Sequence, residues 1–173
     1  MSAFTSQWAT VEHEASQQQI VTQSLETPIG TLVMAATHKG ICLLDFSDRD
    51  APEPLDTLLQ RQLGQTAVAT TSPLLEQLQE ELCRYFAGML TAFTVPLLPS
   101  GTPFQQRVWA ELQRIPYGKT IAYSELAHRL GQPKAVRAVA QANRLNPICV
   151  LIPCHRVIGK DGQVTGYSGG LWR

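Results

Sequence analysis

Near the end of the sequence an apolar run, Ile148-Cys149-Val150-Leu151-Ile152, leads into Pro153-Cys154-His155-Arg156. A thiol at the end of a buried segment, beside an imidazole and a guanidinium, is a candidate nucleophile. The thiolate is the reactive species, and a neighbouring base or positive charge favours it. The plain alternative is a buried structural cysteine, which is the expectation for Cys149 inside the run. Adjacent residues of an extended chain point to opposite sides, so Cys154 and His155 can cooperate only if the chain turns near Pro153 or a water joins them. Downstream, Val157–Gly162 reads as a hairpin-like turn at Asp161-Gly162. Thr165-Gly166-Tyr167-Ser168-Gly169-Gly170 is a glycine-rich loop, either flexible or built for close approach of a ligand to its N–H groups. The four cysteines (Cys42, Cys83, Cys149, Cys154) form no CxxC pair, and the four histidines add no zinc-ligand spacing, so no metal is expected.

The apolar run predicts a strand over Ile148–Ile152. Ahead of it, Thr102-Pro103-Phe104-Gln105 is a capping box with proline at the first helical position. Phe104, Val108, Trp109, Leu112 and Ile115 follow at helical spacing, and Pro116-Tyr117-Gly118 closes the helix. A second short helix is predicted over Ser124–Leu130, a turn at Gly131-Gln132-Pro133, and a third helix over Lys134–Leu145. Two short helices about a glycine turn suggest a helix-turn-helix. The third is thin, with Ala135, Ala138, Ala140 and Ala142. It suits either close burial against other helices or entry into a narrow groove, and Arg137 among the alanines calls for a polar destination.

The first half is different in kind. Residues 1–19 read as a frayed leader. Ile20–Glu26, Thr31–Ala36 and Gly40–Phe46 are strand-like and separated by turn residues, which suits an antiparallel meander. Helices are expected near Leu55–Leu63 and over Pro73–Ala87, and Gly88, Pro96, Pro99 and Gly101 mark a linker. The expected organisation is a leader over 1–19, an N-terminal α/β domain over 20–98 and a mainly helical domain over 99–173. At 173 residues and 44% apolar, the chain can build a core without disulfides. The formal charge is zero, yet residues 1–98 hold four basic and eleven acidic side chains, and residues 99–173 ten basic and three acidic, a split of −7 and +7. Such asymmetry hints at a polyanion-binding half. No signal peptide or membrane-length apolar run is read, and the expected setting is a reducing compartment: cytoplasmic and nucleoid-associated, or nuclear.

Taken together, these motifs resemble one family. Pro153-Cys154-His155-Arg156-Val157-Ile158-Gly159 is similar to the signature of O6-alkylguanine-DNA alkyltransferases. The stretches Thr102–Trp109, Ile115–Gly118, Tyr123 in its Ile-Ala-Tyr-Ser-Glu-Leu-Ala setting, Lys134–Val139, Asn146-Pro147 and Gly166–Gly170 agree in order and spacing. The first half resembles the family more loosely, through Thr27–Gly30 and Tyr85–Gly88. The resemblance implies a ribonuclease-H-like antiparallel sheet with helix, followed by a winged-helix-like domain. It implies a single-turnover repair protein that binds double-stranded DNA carrying alkylated guanine (possible targets extending to O4-alkylthymine) and rotates the base out of the stack. The alkyl group moves to its own cysteine without a cofactor.

By position, the resemblance makes Cys154 the acceptor and His155 the base acting through water. Arg137 would fill the gap left by the base, and Tyr123 would help rotate the phosphate and donate to the purine. Ala135, Ala138 and Ala140 would form the slim face, with Lys134, Arg144 and Lys160 also counted as DNA-binding. Asn146, Cys149, Val157, Tyr167 and Ser168 would form the substrate pocket, Asn146 bracing the turn before the active-site strand. The protein would act as a monomer, with cooperative loading on DNA left open, and no membrane partner.

Family chains continue into a helix whose glutamate orients the histidine. This sequence ends at Leu171-Trp172-Arg173, so the expectation is slowed thiolate formation, uncovered apolar surface and, as the alternative function, a weakly active or non-transferring lesion binder. A transcription factor would need major-groove readout, which an alanine-lined helix is poorly equipped for. A cysteine hydrolase would need an oxyanion site.

Overall fold

The computed structural model describes residues 19–48, 57, 60, 67–164 and 169–173. β1 (Ile20–Thr27), β2 (Gly30–Thr37) and β3 (Gly40–Phe46) form the expected antiparallel meander, with Thr27 opposite Gly30 and Thr37 opposite Gly40. Pro28-Ile29 and His38-Lys39 are thus two-residue turns. A further strand that the sequence did not announce, β4 (Ala67–Ala69), pairs in parallel with β1, giving the order β3-β2-β1-β4. Of the helix expected near Leu55–Leu63, only Thr57 and Gln60 are described, and both are helical. The leader up to residue 18 lies outside the described residues.

α1 (Pro73–Phe86) covers the sheet through Leu75, Leu78 and Leu82. Its start is fixed by the Ser72 hydroxyl accepting from the Leu75 N–H at 3.3 Å. Its end is fixed by Gly88 at φ 73, which lets the Met89 N–H reach the Arg84 carbonyl at 2.8 Å. Glu81, buried on this helix, accepts from Gln77 Nε2 at 2.9 Å, the Thr94 N–H at 2.8 Å and the Thr94 hydroxyl, tying the linker down.

The second half begins with α2 (Pro103–Leu112), which carries the anticipated capping box between Thr102 and Gln105. Then come β5 (Ile121–Ala122), α3 (Tyr123–Arg129) and α4 (Val136–Arg144). A 3-10 turn (Cys154–Arg156) runs into β6 (Val157–Ile158), which pairs in parallel with β5. The α3–turn–α4 unit is held by α2: the buried Trp109 donates Nε1–H to the Ala142 carbonyl at 2.8 Å, and Arg107 donates to the Leu130 carbonyl at 3.0 Å.

Two expectations fail here. The third helix starts at Val136, not Lys134. Lys134 and Ala135 belong to the turn, because the Gln132 N–H bonds the Ala127 carbonyl and the Ala135 N–H bonds the Gln132 carbonyl, both at 2.9 Å. The strand predicted over Ile148–Ile152 does not form either. Ile148 makes one isolated bridge, and the chain then coils.

One hydrophobic cluster runs through both halves, joining Leu32, Met34, Ile41 and Leu44 to Val108, Trp109, Ile148 and Ile152; a second, smaller one gathers Ile20, Ala35, Cys42 and Leu43. The join is made at the outer edge of β3. There Ile41 bridges Leu97, with hydrogen bonds of 2.8 and 2.7 Å to Pro96 and from Leu98, and Leu44 bridges Ile148, with bonds of 3.0 and 2.8 Å to Pro147 and from Cys149. The edge strand therefore has its backbone groups satisfied by the linker on one stretch and by the approach to Cys154 on the next.

Candidate functional site

Residues 146–156 form a compact coil of turns. The Asn146 side chain organises it: Oδ1 accepts from the Ile148 N–H at 3.0 Å, and Nδ2 donates to the carbonyls of Ile152 at 2.8 Å and Ile148 at 3.4 Å. Three backbone bonds tighten it, from Leu151 to Cys149 at 2.8 Å, from Ile152 to Ile148 at 3.0 Å and from Cys154 to Ile152 at 2.8 Å. The first of these closes a three-residue turn centred on Val150 at φ 68, a left-handed conformation that a β-branched residue rarely adopts. Pro153 at φ −80, ψ 66 centres another. The chain thus turns before Cys154, which removes the opposite-sides objection to a Cys154–His155 partnership.

Cys154 heads the 3-10 turn and is 5% exposed. Burial pushes its thiol up to about 11, against hydrogen bonds from Asn146 and from the N–H groups of Cys154 and His155, while the charge of Asp45 on β3 pushes the same way as burial. His155 is driven down to about 4 by burial and by the neighbouring Arg156. Arg156 is not among the groups that shift the thiol. Its guanidinium donates to the Ile115 carbonyl at 2.7 Å and lies 5.6 Å from the Tyr117 ring, pinning the turn to the end of α2.

The Cys154 carbonyl accepts from the Val157 N–H and, at 3.3 Å, from Asn143 Nδ2, which also donates to the Tyr123 hydroxyl at 3.4 Å. Tyr123, Asn146, Val157 and Cys154 are therefore gathered at one place. Cys149 is buried in the coil and anchored to β3. Tyr167 and Ser168 lie outside the described residues. Sequence reasoning missed Asn143. The signal for it was present: it stands four residues after Val139, on the buried stripe of a helix, where a polar side chain needs a partner.

The remaining residues lie on the surface. Arg137, Ala138 and Arg144 are exposed on α4 and Ala140 partly so; Ala135, in the preceding turn, is partly exposed, and Lys134 and Lys160 are exposed in loops. Val139, Ala142 and Asn143 face inward. The helix is thus both things the sequence left open, close-packed on one side and thin, basic and solvent-facing on the other. Among the described residues no group of three or more His, Cys, Asp or Glu is poised for a metal, and no helix is long and apolar enough to cross a membrane.

Comparison with known proteins agrees with this geometry. Residues 20–99 match the ribonuclease-like domain of 6-O-methylguanine DNA methyltransferase, and residues 103–173 match its DNA binding domain. The chain is similar to the methylated-DNA–protein-cysteine methyltransferase of Mycolicibacterium paratuberculosis, at 55% identity over 87% of this chain and 86% of the relative. It is also similar to the constitutive enzyme of that name from Bacillus subtilis, at 43% identity over 83% of this chain and 84% of the relative. The crystal structure of Mycobacterium tuberculosis OGT in complex with DNA superposes with a TM-score of 0.73 at 39% identity, covering 87% of this chain and 86% of that one. On matches of this extent and identity, the chain belongs to the 6-O-methylguanine DNA methyltransferase family.

Proposed function

We propose that this protein repairs DNA by taking the alkyl group from O6-alkylguanine onto Cys154, one molecule per lesion. The observation that carries the reading is the seating of Cys154. It heads a turn whose N–H groups and Asn146 face its sulfur, one helix away from a basic, alanine-lined surface. In the transfer, a bond forms between Sγ of Cys154 and the alkyl carbon, and the bond from that carbon to O6 breaks. Its electron pair stays on the purine, which takes up a proton. The thiol proton leaves through His155, by way of water. Arg137 fills the vacated stack, Tyr123 donates to the purine, and Ala138 and Ala140 form the slim face of the groove-binding helix with Ala135 at its entry, Lys134, Arg144 and Lys160 contacting the backbone. Asn146, Cys149 and Val157, with Tyr167 and Ser168, shape the pocket.

The N-terminal part is read as ribonuclease-H-like and the C-terminal part as winged-helix-like. The protein acts as a monomer on duplex DNA in the cytoplasm or nucleus, without a cofactor. A non-transferring lesion binder gains no support from the relatives, whose names are those of methyltransferases.

The test is direct. Incubation with a duplex containing O6-methylguanine should add one methylene to the intact mass, on the peptide holding Cys154, with a stoichiometric end point. Cys154→Ser should add nothing. Tight binding of lesion DNA by a wild-type protein whose thiol stays free would reverse the reading in favour of a lesion binder.

A further inference from the structure

Asn143 lies on the buried face of α4 and joins two groups that the repair reaction uses. Its Nδ2 donates to the Tyr123 hydroxyl at 3.4 Å and to the Cys154 carbonyl at 3.3 Å. Its Oδ1 is buried and meets no hydrogen-bond partner among the described residues. A buried carbonyl oxygen without a partner is uncommon, so the amide is not oriented for the benefit of Oδ1. It is oriented by the Cys154 carbonyl: turning the amide over would aim one carbonyl oxygen at another. With Nδ2 fixed there, the Tyr123 oxygen has to accept from it. A phenol that accepts from the protein keeps its own proton free for another acceptor.

We propose that Asn143 is a positioning residue: it sets the polarity of the Tyr123 hydroxyl, holding it as an acceptor toward the protein and so as a donor toward the extruded base, in register with Cys154. This rests on the repair reading for the role of Tyr123. The electrostatics of the cluster agree with the geometry. Burial raises the Tyr123 phenol above its ordinary value, the hydrogen bond from Asn143 lowers it, and the nearby Cys154 raises it. The arrangement also gives α4 a mechanical part: the helix whose outer face meets DNA holds the carbonyl of the acceptor cysteine with its inner face.

Asn143→Asp is the informative variant, because it keeps the shape and exchanges the donor for an acceptor. The Tyr123 hydroxyl then donates to the new carboxylate, and its proton is lost to the base. The limiting rate of methyl transfer should fall about tenfold or more, a typical coupling for groups in one network. The lesion concentration for half-saturation and the affinity for undamaged duplex should stay near wild type. In a Tyr123→Phe background the same substitution should have little further effect on transfer.

A second readout needs no activity. In protein labelled with carbon-13 at the tyrosine ζ position, with Tyr123 assigned by its loss in Tyr123→Phe, Asn143→Asp should move the Tyr123 titration midpoint upward. An unmoved midpoint, or independent multiplicative losses in Asn143→Asp and Tyr123→Phe, would overturn the proposal. Asn143→Leu, which removes the contact without reversing it, should transfer faster than Asn143→Asp. The opposite order would mark a merely structural role and also overturn it. Failure of the wild-type protein to take up a methyl group would sink the repair reading instead, and the titration would still decide the hydrogen bond.

Discussion

A thiol near 11 and an imidazole near 4 are both uncharged at neutral pH. Cys154 is therefore a masked nucleophile in the free protein, shielded from solvent by burial; the guanidinium of Arg156 is directed to the Ile115 carbonyl and its charge acts on His155 rather than on the thiol. The histidine carries a stability signature of its own. Unfolded, it titrates near its ordinary 6.5; folded, near 4. Between those values the unfolded chain binds a proton that the native site refuses, so stability rises with pH across that window and is lost as pH falls from 6.5 toward 4. Comparing pH 7 with pH 4.5, the part of the loss due to His155 should be about 2–3 kcal/mol. Urea unfolding at the two pH values checks this: His155→Gln should lose correspondingly less than wild type, and equal losses would mean that the imidazole is not held neutral.

At the scale of elements, the decisive unit is the coil from Asn146 to Arg156. Its strained Val150 turn persists because Asn146 satisfies three backbone groups and Leu44 on β3 satisfies two more, the Pro147 carbonyl and the Cys149 N–H. Asn146→Ala would leave the Ile148 N–H and the Ile152 carbonyl buried without those partners, at a cost of about 2–4 kcal/mol. It should also raise the Cys154 midpoint above about 11, since the Asn146 hydrogen bond lowers it. Denaturant unfolding and thiol titration measure the two effects, and an unchanged midpoint would remove Asn146 from the site. This coil was not legible in the sequence as a coil. Five apolar residues in a row satisfy a strand template, and what bends them is tertiary: a side chain reaching into the backbone and an edge strand from the other half. The meander and the capping box at Thr102 were legible because their signals are local, alternation with turn residues in one case and a residue pair three apart in the other. α4 was read two residues too early because Pro133 suits a first helical turn, whereas here it sits in the preceding turn. β4 is only Ala67-Val68-Ala69, too short to carry a pattern.

Across the whole molecule, the −7 and +7 halves share one core, so the acidic half serves as the platform whose edge strand holds the acceptor turn. Ion pairing decides which cations of the basic half remain free. Glu111 and Glu125, two of the three acids in the basic half, are paired with Arg114 at 2.8 Å and Arg129 at 2.5 Å, and Arg173 reaches across to Asp48 at 2.7 Å. No such pair forms with Lys134, Arg137 or Arg144 among the described residues, which leaves free positive charge on and beside the exposed face of α4. Affinity for undamaged duplex should therefore fall steeply with salt, and removing one cation that neutralises a phosphate should flatten the log–log slope by about 0.9. Lys134→Gln and Arg144→Gln should each do so while leaving the methyl-transfer rate at saturating DNA near wild type. Arg137→Ala should differ in kind, because filling the stack is worth more at the lesion than on intact duplex: its loss in repair should exceed its loss in nonspecific binding. Titrations at several salt concentrations, run beside single-turnover repair for the three variants, separate a charge that only holds DNA from one that holds the base out of it. Equal losses for Arg137→Ala on both counts would reduce Arg137 to another phosphate ligand.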